Sequence, residues 1–198
     1  MQRMDAEQFR ELRRHAQVLA ADAHGEKVLR LEDGSLLKLF RQRRWLSRSL
    51  FNPPARRFAH NARRLASLGI ACPRVLTLYR LKEPPRHLVH YLPVPGHSVR
   101  ELLPRLERTR QLELFASLAN FISLLHGRGV YFRSLHMGNI ILMPDSHFGL
   151  IDIADLRCLA GPLSRRLRAR NYRHLLRYQD DWAQVDPDVR TLFTFGKT

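Results

Sequence analysis

The chain has 198 residues, 44% of them hydrophobic, enough for one compact core or for two small lobes sharing a cleft. Its formal charge of +16 favours polyanionic partners: nucleic acid, anionic lipid headgroups or phosphorylated glycans. Two cysteines, Cys72 and Cys158, in no metal-ligand or redox spacing point to thiols in a reducing compartment, and no apolar run approaches the ~18–20 residues that cross a bilayer. The polar opening MQRMDAEQFRELRRH has no signal-peptide core.

In chain order, residues 6–23 place Phe9, Leu12, Val18 and Leu19 at helical spacing and predict a leading amphipathic helix. KVLRLEDGSLLKLF then reads as a hairpin, two β-prone runs about Asp33-Gly34. Pro53-Pro54 opens a helix with an apolar stripe of Phe58, Ala62, Leu65 and Leu68, ending near Gly69. PRVLTLYRL and RHLVHYL predict two more strands, parted by a turn at Glu83-Pro84-Pro85. Residues 93–96 break the pattern and mark the expected boundary between an N-terminal lobe, 1–95, and a C-terminal lobe, 96–198. Beyond it, Ser98 caps a short helix and a longer one runs from Leu112 to Gly127. NIILM and FGLIDI form a second hairpin around PDSHFG, and residues 163–185 are one strongly basic helix or two. Strands with one helix, followed by helices around a small hairpin, make an α+β protein with its cleft between the parts.

The basic residues are clustered. From Lys38 to Arg64 the chain carries Arg41, Arg43, Arg44, Arg48, Arg56, Arg57, Arg63 and Arg64 with no acid. From Leu156 to Arg177 it again has only basic charges, among them Arg165, Arg166, Arg168, Arg170, Arg173 and Arg177. Two separate acid-free blocks favour an anion-facing surface over a merely solubilising one.

Phosphoryl transfer to a hydroxyl needs a cation on the donor phosphates, oxygen ligands for magnesium and a carboxylate that takes the acceptor proton. In kinases the metal ligands are the Asn of H-R-D-x-x-x-x-N and the Asp of D-F-G. In YFRSLHMGN, Arg133 stands in the Arg place, Ser134 in the Asp place and Asn139 in the Asn place. Asp152 of LIDIA follows where D-F-G would lie, and Lys38 is the only lysine of the strand LLKLF. Each residue alone has a plainer reading: Asn139 as a turn residue, Asp152 as a strand-end cap, Lys38 as a solvent-facing strand lysine. The spacing joins them.

The segment from Gly129 to Asp155 resembles the small bacterial lipopolysaccharide-core kinases, the Kdo and heptose kinase family with its toluene-tolerance-type relatives, within the protein-kinase-like superfamily. The loop of that family reads H-G-D-L-H-x-G-N, and Leu135, His136, Gly138 and Asn139 stand at the matching places. The tail RARNYRHLLRY resembles the family's basic Arg-Asn-x-x-Arg-Leu segment. The resemblance implies a reduced two-lobed protein-kinase-like fold and an ATP- and magnesium-dependent phosphotransferase acting on a core sugar. In it Lys38 contacts phosphates, and Asn139 and Asp152 hold the metal. The arginine blocks would grip an anionic glycolipid, lipopolysaccharide core or anionic membrane surface, with the protein cytoplasmic or peripheral at the inner membrane.

The chain departs from the family at Ser134, at Phe132 in place of the preceding His, and at His60 and Asn61 where a helix acid would pair the lysine. Ser134 is therefore a degenerate base position with weakened or lost catalysis. His136 and Asp155 are candidate substitutes, His136 being read first as a structural residue bonded to the loop backbone. A pseudokinase that binds nucleotide or a protein partner in envelope biogenesis is the alternative. A basic nucleic-acid-binding protein is the second alternative; it explains the charge but not SLHMGN or LIDIAD.

Overall fold

The structure is a computed structural model and describes residues 1–41, 52–183 and 185–193. Arg43, Arg44 and Arg48 of the first basic block lie outside the described residues. The chain divides into two compact units, one of Met1–Arg63 with Cys72–Pro93, the other of Arg64–Ala71 with Val94–Thr198.

The first unit is built on a six-stranded mixed sheet of order β1-β5-β6-β4-β3-β2. Its strands are β1 (Gln2–Met4), β2 (Gln17–Asp22), β3 (Gly25–Arg30), β4 (Leu36–Arg41), β5 (Arg74–Leu81) and β6 (Arg86–Leu92). The leading helix α1 covers only Ala6–Arg14, closed at its start by an Asp5–Gln8 capping box. The expected helix to residue 23 is thus half wrong. Val18–Ala21 pairs antiparallel with β3 and becomes an edge strand. The missed signal is the turn that follows, where Asp22 accepts from the His24 N–H and Gly25 sits at φ 106°. Tertiary pairing overrode an apolar spacing that a helix also satisfies.

Alternation along the strands sorts the sheet's two faces. Met4, Leu29, Leu37, Leu39, Leu81 and Leu88 form a core cluster on one face, against which Phe9 of α1 packs. On the other face helix α2 (Pro54–Ser67) sets Phe58 against Phe40 and Tyr91, with ring centroids 6.4 and 5.3 Å away. The predicted hairpin stands, with Gly34 at φ 80° in the Asp33-Gly34 turn. Below it Ser35 is clamped between Asp33 and His90.

The second unit packs on helix α4 (Arg108–Gly127), which buries Phe115, Leu118, Phe121, Ile122 and Leu125. Phe115 meets Trp182 and Phe193, and Phe121 meets Phe148. Before α4, the short helix α3 (Val99–Leu102) is capped by Ser98 with a reciprocal bond from Glu101, as the sequence predicts for Ser98. Two small antiparallel ladders complete the unit. One joins β7 (His97–Ser98), β9 (Ile140–Leu142) and β10 (Phe148–Leu150); the other joins β8 (Val130–Tyr131) and β11 (Arg157–Cys158). The basic tail forms two helices, α5 (Arg165–Leu175) and α6 (Gln179–Trp182), followed by α7 (Pro187–Thr191). The protein is α+β. Among the described residues no helix is long and apolar enough to cross a membrane.

Candidate functional site

The loop from Phe132 to Asn139 is pinned at both ends by strand register. In the β9–β10 ladder Ile140 pairs with Leu150, and the next bond outward is from Ile151 N–H to the Asn139 carbonyl at 3.0 Å. That register sets Asn139 opposite Ile151 and brings Asp152 one residue beyond, at the open end of the hairpin. In the β8–β11 ladder Tyr131 pairs with Arg157. Beyond its end, where Ile153–Asp155 forms a 3-10 turn, Ser134 meets Asp155 across 21 residues of sequence. The structure therefore brings together four of the residues singled out in the sequence: Ser134, Asn139, Asp152 and Asp155.

Ser134 Oγ donates to Asp155 Oδ2 at 2.6 Å, a length typical of a hydroxyl on a charged oxygen. The other oxygen of that carboxylate, Oδ1, is buried and has no hydrogen-bond partner among the described residues. Asn139 is 8% exposed; its Nδ2 donates to the Ser134 carbonyl at 2.9 Å, which turns its Oδ1 away from that bond. Asp152 is exposed and left-handed, at φ 52° and ψ 43°. Few residues other than Gly, Asn and Asp adopt that region, and such outliers collect at functional sites.

His136 behaves differently from either reading. Its Nδ1 lies 3.4 Å from Arg100 Nη2, not on the loop backbone. A guanidinium only donates, so Nδ1 is the unprotonated nitrogen. Burial lowers the His136 pKa, Arg100 lowers it further, and the carboxylates of Asp181 and Asp152 oppose the shift. His136 is thus a neutral ring, with the edge-on Tyr178 ring centred 4.8 Å away. Arg100 is in turn gripped by both oxygens of Asp181, whose side chain is 4% exposed, and this contact raises the guanidinium pKa. Gly138 follows from the same packing: a Cβ there would lie 2.7 Å from Arg100 Nη1 and 3.2 Å from His136 Nδ1. Asp181 holds Arg100 in place, so the guanidinium cannot swing aside.

Arg100, Leu103, Pro104, Tyr178, Asp180 and Asp181 line a groove of about 410 Å³. Sequence reasoning missed Arg100 and Asp181. Arg100 is hidden inside a capping box, but Asp180-Asp181 carries a signal, being the first acids after the long acid-free stretch.

The Asn of the tail motif is a strut. Asn171, 1% exposed, donates to the Phe132 carbonyl at 2.6 Å and receives the His126 Nε2 proton at 3.1 Å. It ties α5 and the end of α4 to the start of the loop. Tyr131 Oη and His174 Nε2, 3.1 Å apart, add a second tie. On the outer side of α5, Arg166, Arg170 and Arg173 are exposed at i, i+4 and i+7. Arg168 is half-buried instead, and its Nε donates to the Leu163 carbonyl at 2.9 Å.

Lys38 belongs to the first unit. It is half-buried, not solvent-facing, on the face of β4 that carries Phe40, with Nζ 5.7 Å from that ring's centroid. On α2, which packs on this face, His60 is exposed and Asn61 is 5% exposed, and neither is an acid. Among the described residues no cluster of three or more His, Cys, Asp or Glu forms a self-sufficient metal cage. No protein-family model matches the chain, and no curated protein matches it at a significant level.

Proposed function

We propose that the second unit carries the metal and acceptor side of an ATP- and magnesium-dependent phosphotransferase of the lipopolysaccharide-core kinase type, phosphorylating a core sugar at a reduced rate. The observation that carries this reading is the grouping of four residues about one loop. The β9–β10 ladder sets Asn139 and Asp152 at one hairpin end, and Ser134 is bonded to Asp155 beside them. The oxygens on offer suit magnesium: Asn139 is oriented by its Nδ2 bond so that Oδ1 is available, and Asp152 brings an exposed carboxylate. Magnesium takes one or two protein oxygens and completes its shell with water and substrate phosphates, so a two-residue site is adequate. When bound it would offset the phosphate charge.

Asp155 supplies the carboxylate that Ser134 lacks, and its Oδ2 is the proton acceptor beside the loop. His136, neutral and wedged between Arg100 and Tyr178, positions the loop instead of exchanging protons. The neighbouring groove, with an aromatic ring and the carboxylate of Asp180, suits a hydroxyl-rich acceptor. The reading rests on second-unit residues alone, and Lys38 keeps a phosphate-binding role only through the resemblance. The exposed Arg166, Arg170 and Arg173 support an anionic glycolipid or membrane surface as partner, at the inner face of a membrane.

Thermal shift with ATP tests the site. Magnesium should be required for stabilisation by ATP, and Asp152→Asn, which tolerates the left-handed backbone, should lose it while keeping the unliganded melting temperature. An undiminished magnesium-dependent shift in Asp152→Asn refutes the assignment. A pseudokinase is the second reading, favoured by Ser134 in the base position and by Asn61 and His60 in place of a helix acid; it expects the same shift and no transfer.

A further inference from the structure

Among the described residues two Ser–Asp pairs occur, and they differ in a telling way. Ser35 and Asp33 form a closed clamp: Asp33 Oδ1 accepts from both the N–H and the hydroxyl of Ser35, Ser35 Oγ also meets His90 Nε2, and Ser35 is fully buried. Ser134 and Asp155 form an open one. Ser134 is half-buried; among the described residues its hydroxyl bonds Asp155 Oδ2, and Asp155 Oδ1 is buried with no partner. A clamp kept for stability would pair that second oxygen, because an unsatisfied buried acceptor is costly. A hydroxyl held on a carboxylate is instead the arrangement of a nucleophile on its base. The Asn139 Nδ2 bond to the Ser134 carbonyl fixes the serine's backbone beside the proposed metal ligands.

Resting on the nucleotide site proposed above, we propose that Ser134 is itself a phosphoryl acceptor, so that the chain phosphorylates its own loop from ATP. The Ser134 Oγ–Pγ bond forms as the bond from Pγ to the β,γ-bridging oxygen breaks. ADP leaves with that electron pair, and the hydroxyl proton passes to Asp155 Oδ2. The carboxylate, at 2.6 Å, both orients the hydroxyl and takes its proton. The product loses the Ser134–Asp155 hydrogen bond and sets a dianion against a carboxylate, which destabilises the loop.

The test uses the full chain, treated with phosphatase, freed of it, and incubated with ATP and magnesium. Peptide mass spectrometry locates phosphate, and melting is followed in parallel. One phosphate is expected on Ser134, at a rate independent of protein concentration, and the modified protein should melt lower than the unmodified. Ser134→Ala should take no phosphate there, and Asp155→Asn should be slower by about 10²-fold or more. Both variants should keep the magnesium-dependent ATP shift. If ATP and magnesium stabilise the wild type yet Ser134 stays unmodified, or Asp155→Asn is modified as fast, the inference falls and the nucleotide site stands. If no ATP shift occurs at all, both fall.

Discussion

Replacing Ser134 by Asp looks from the sequence like the repair of a broken kinase loop, but the structure turns that expectation around. The new carboxylate would stand where the Ser134 hydroxyl now donates to Asp155 Oδ2 at 2.6 Å. A favourable hydrogen bond becomes a like-charge pair. Two carboxylates about 4 Å apart repel by about 4 kcal/mol at an effective dielectric of about 20. Both positions are partly open to solvent, and screening brings this to about 2 kcal/mol. Repulsion between the two charges favours a shared proton on the pair. A carboxyl whose folded pKa is raised gives full stability below its unfolded value and loses it as pH rises through the folded value. Ser134→Asp should therefore match the wild type near pH 4 and fall progressively behind it up to neutrality, by about 4–8 °C in melting temperature. Ser134→Asn, uncharged, should show no such divergence. The assay is thermal unfolding of the three proteins from pH 4 to pH 8. If Ser134→Asp melts with the wild type at pH 7, the Ser134–Asp155 contact is not as described, and the base assigned to the loop goes with it.

Asn171→Ala removes a buried amide that serves both His126 and the Phe132 carbonyl; it should cost about 2–4 kcal/mol in urea unfolding, and a loss under about 1 kcal/mol would deny the strut. His87, His126, His136 and His174 all have pKa values lowered from 6.5, burial being the first cause in each. Below 6.5 the unfolded chain takes up protons that the folded chain refuses, so stability present above that pH is lost as pH falls toward the folded values; His126→Gln should flatten part of this loss in pH-dependent melting, and an unchanged profile would remove His126 from the account. Charge reversal at Arg166, Arg170 and Arg173 should release the protein from vesicles containing anionic lipid, in a flotation assay at low salt, with no change in melting. Arg168→Glu, which breaks the bond to Leu163, should lower the melting temperature, and a wild type that ignores such vesicles would assign the stripe another purpose.

Local chemistry was legible in the sequence. Asp33-Gly34 announced its hairpin, Ser98 its helix cap and residues 140–150 their hairpin, because turn geometry and capping are settled within four or five residues. The charge and its clustering were equally plain. Long-range pairing was not. Val18–Ala21 reads as helix until β3 claims it, and Asp22, His24 and Gly25 reveal the reason only once the strand partner is known. Asn171 looks like one more polar residue in a basic tail, yet it is buried as a strut because its amide bonds both the Phe132 carbonyl and the His126 ring. Arg100 and Asp181, 81 residues apart, find each other only in the fold. The candidate site divides the same way. Spacing selected Ser134, Asn139, Asp152 and Asp155, but residue types on a line cannot say which side chains touch. The serine's partner was decided by the tertiary fold, which brings the Ser134 hydroxyl to a carboxylate 21 positions away, in the 3-10 turn Ile153–Asp155.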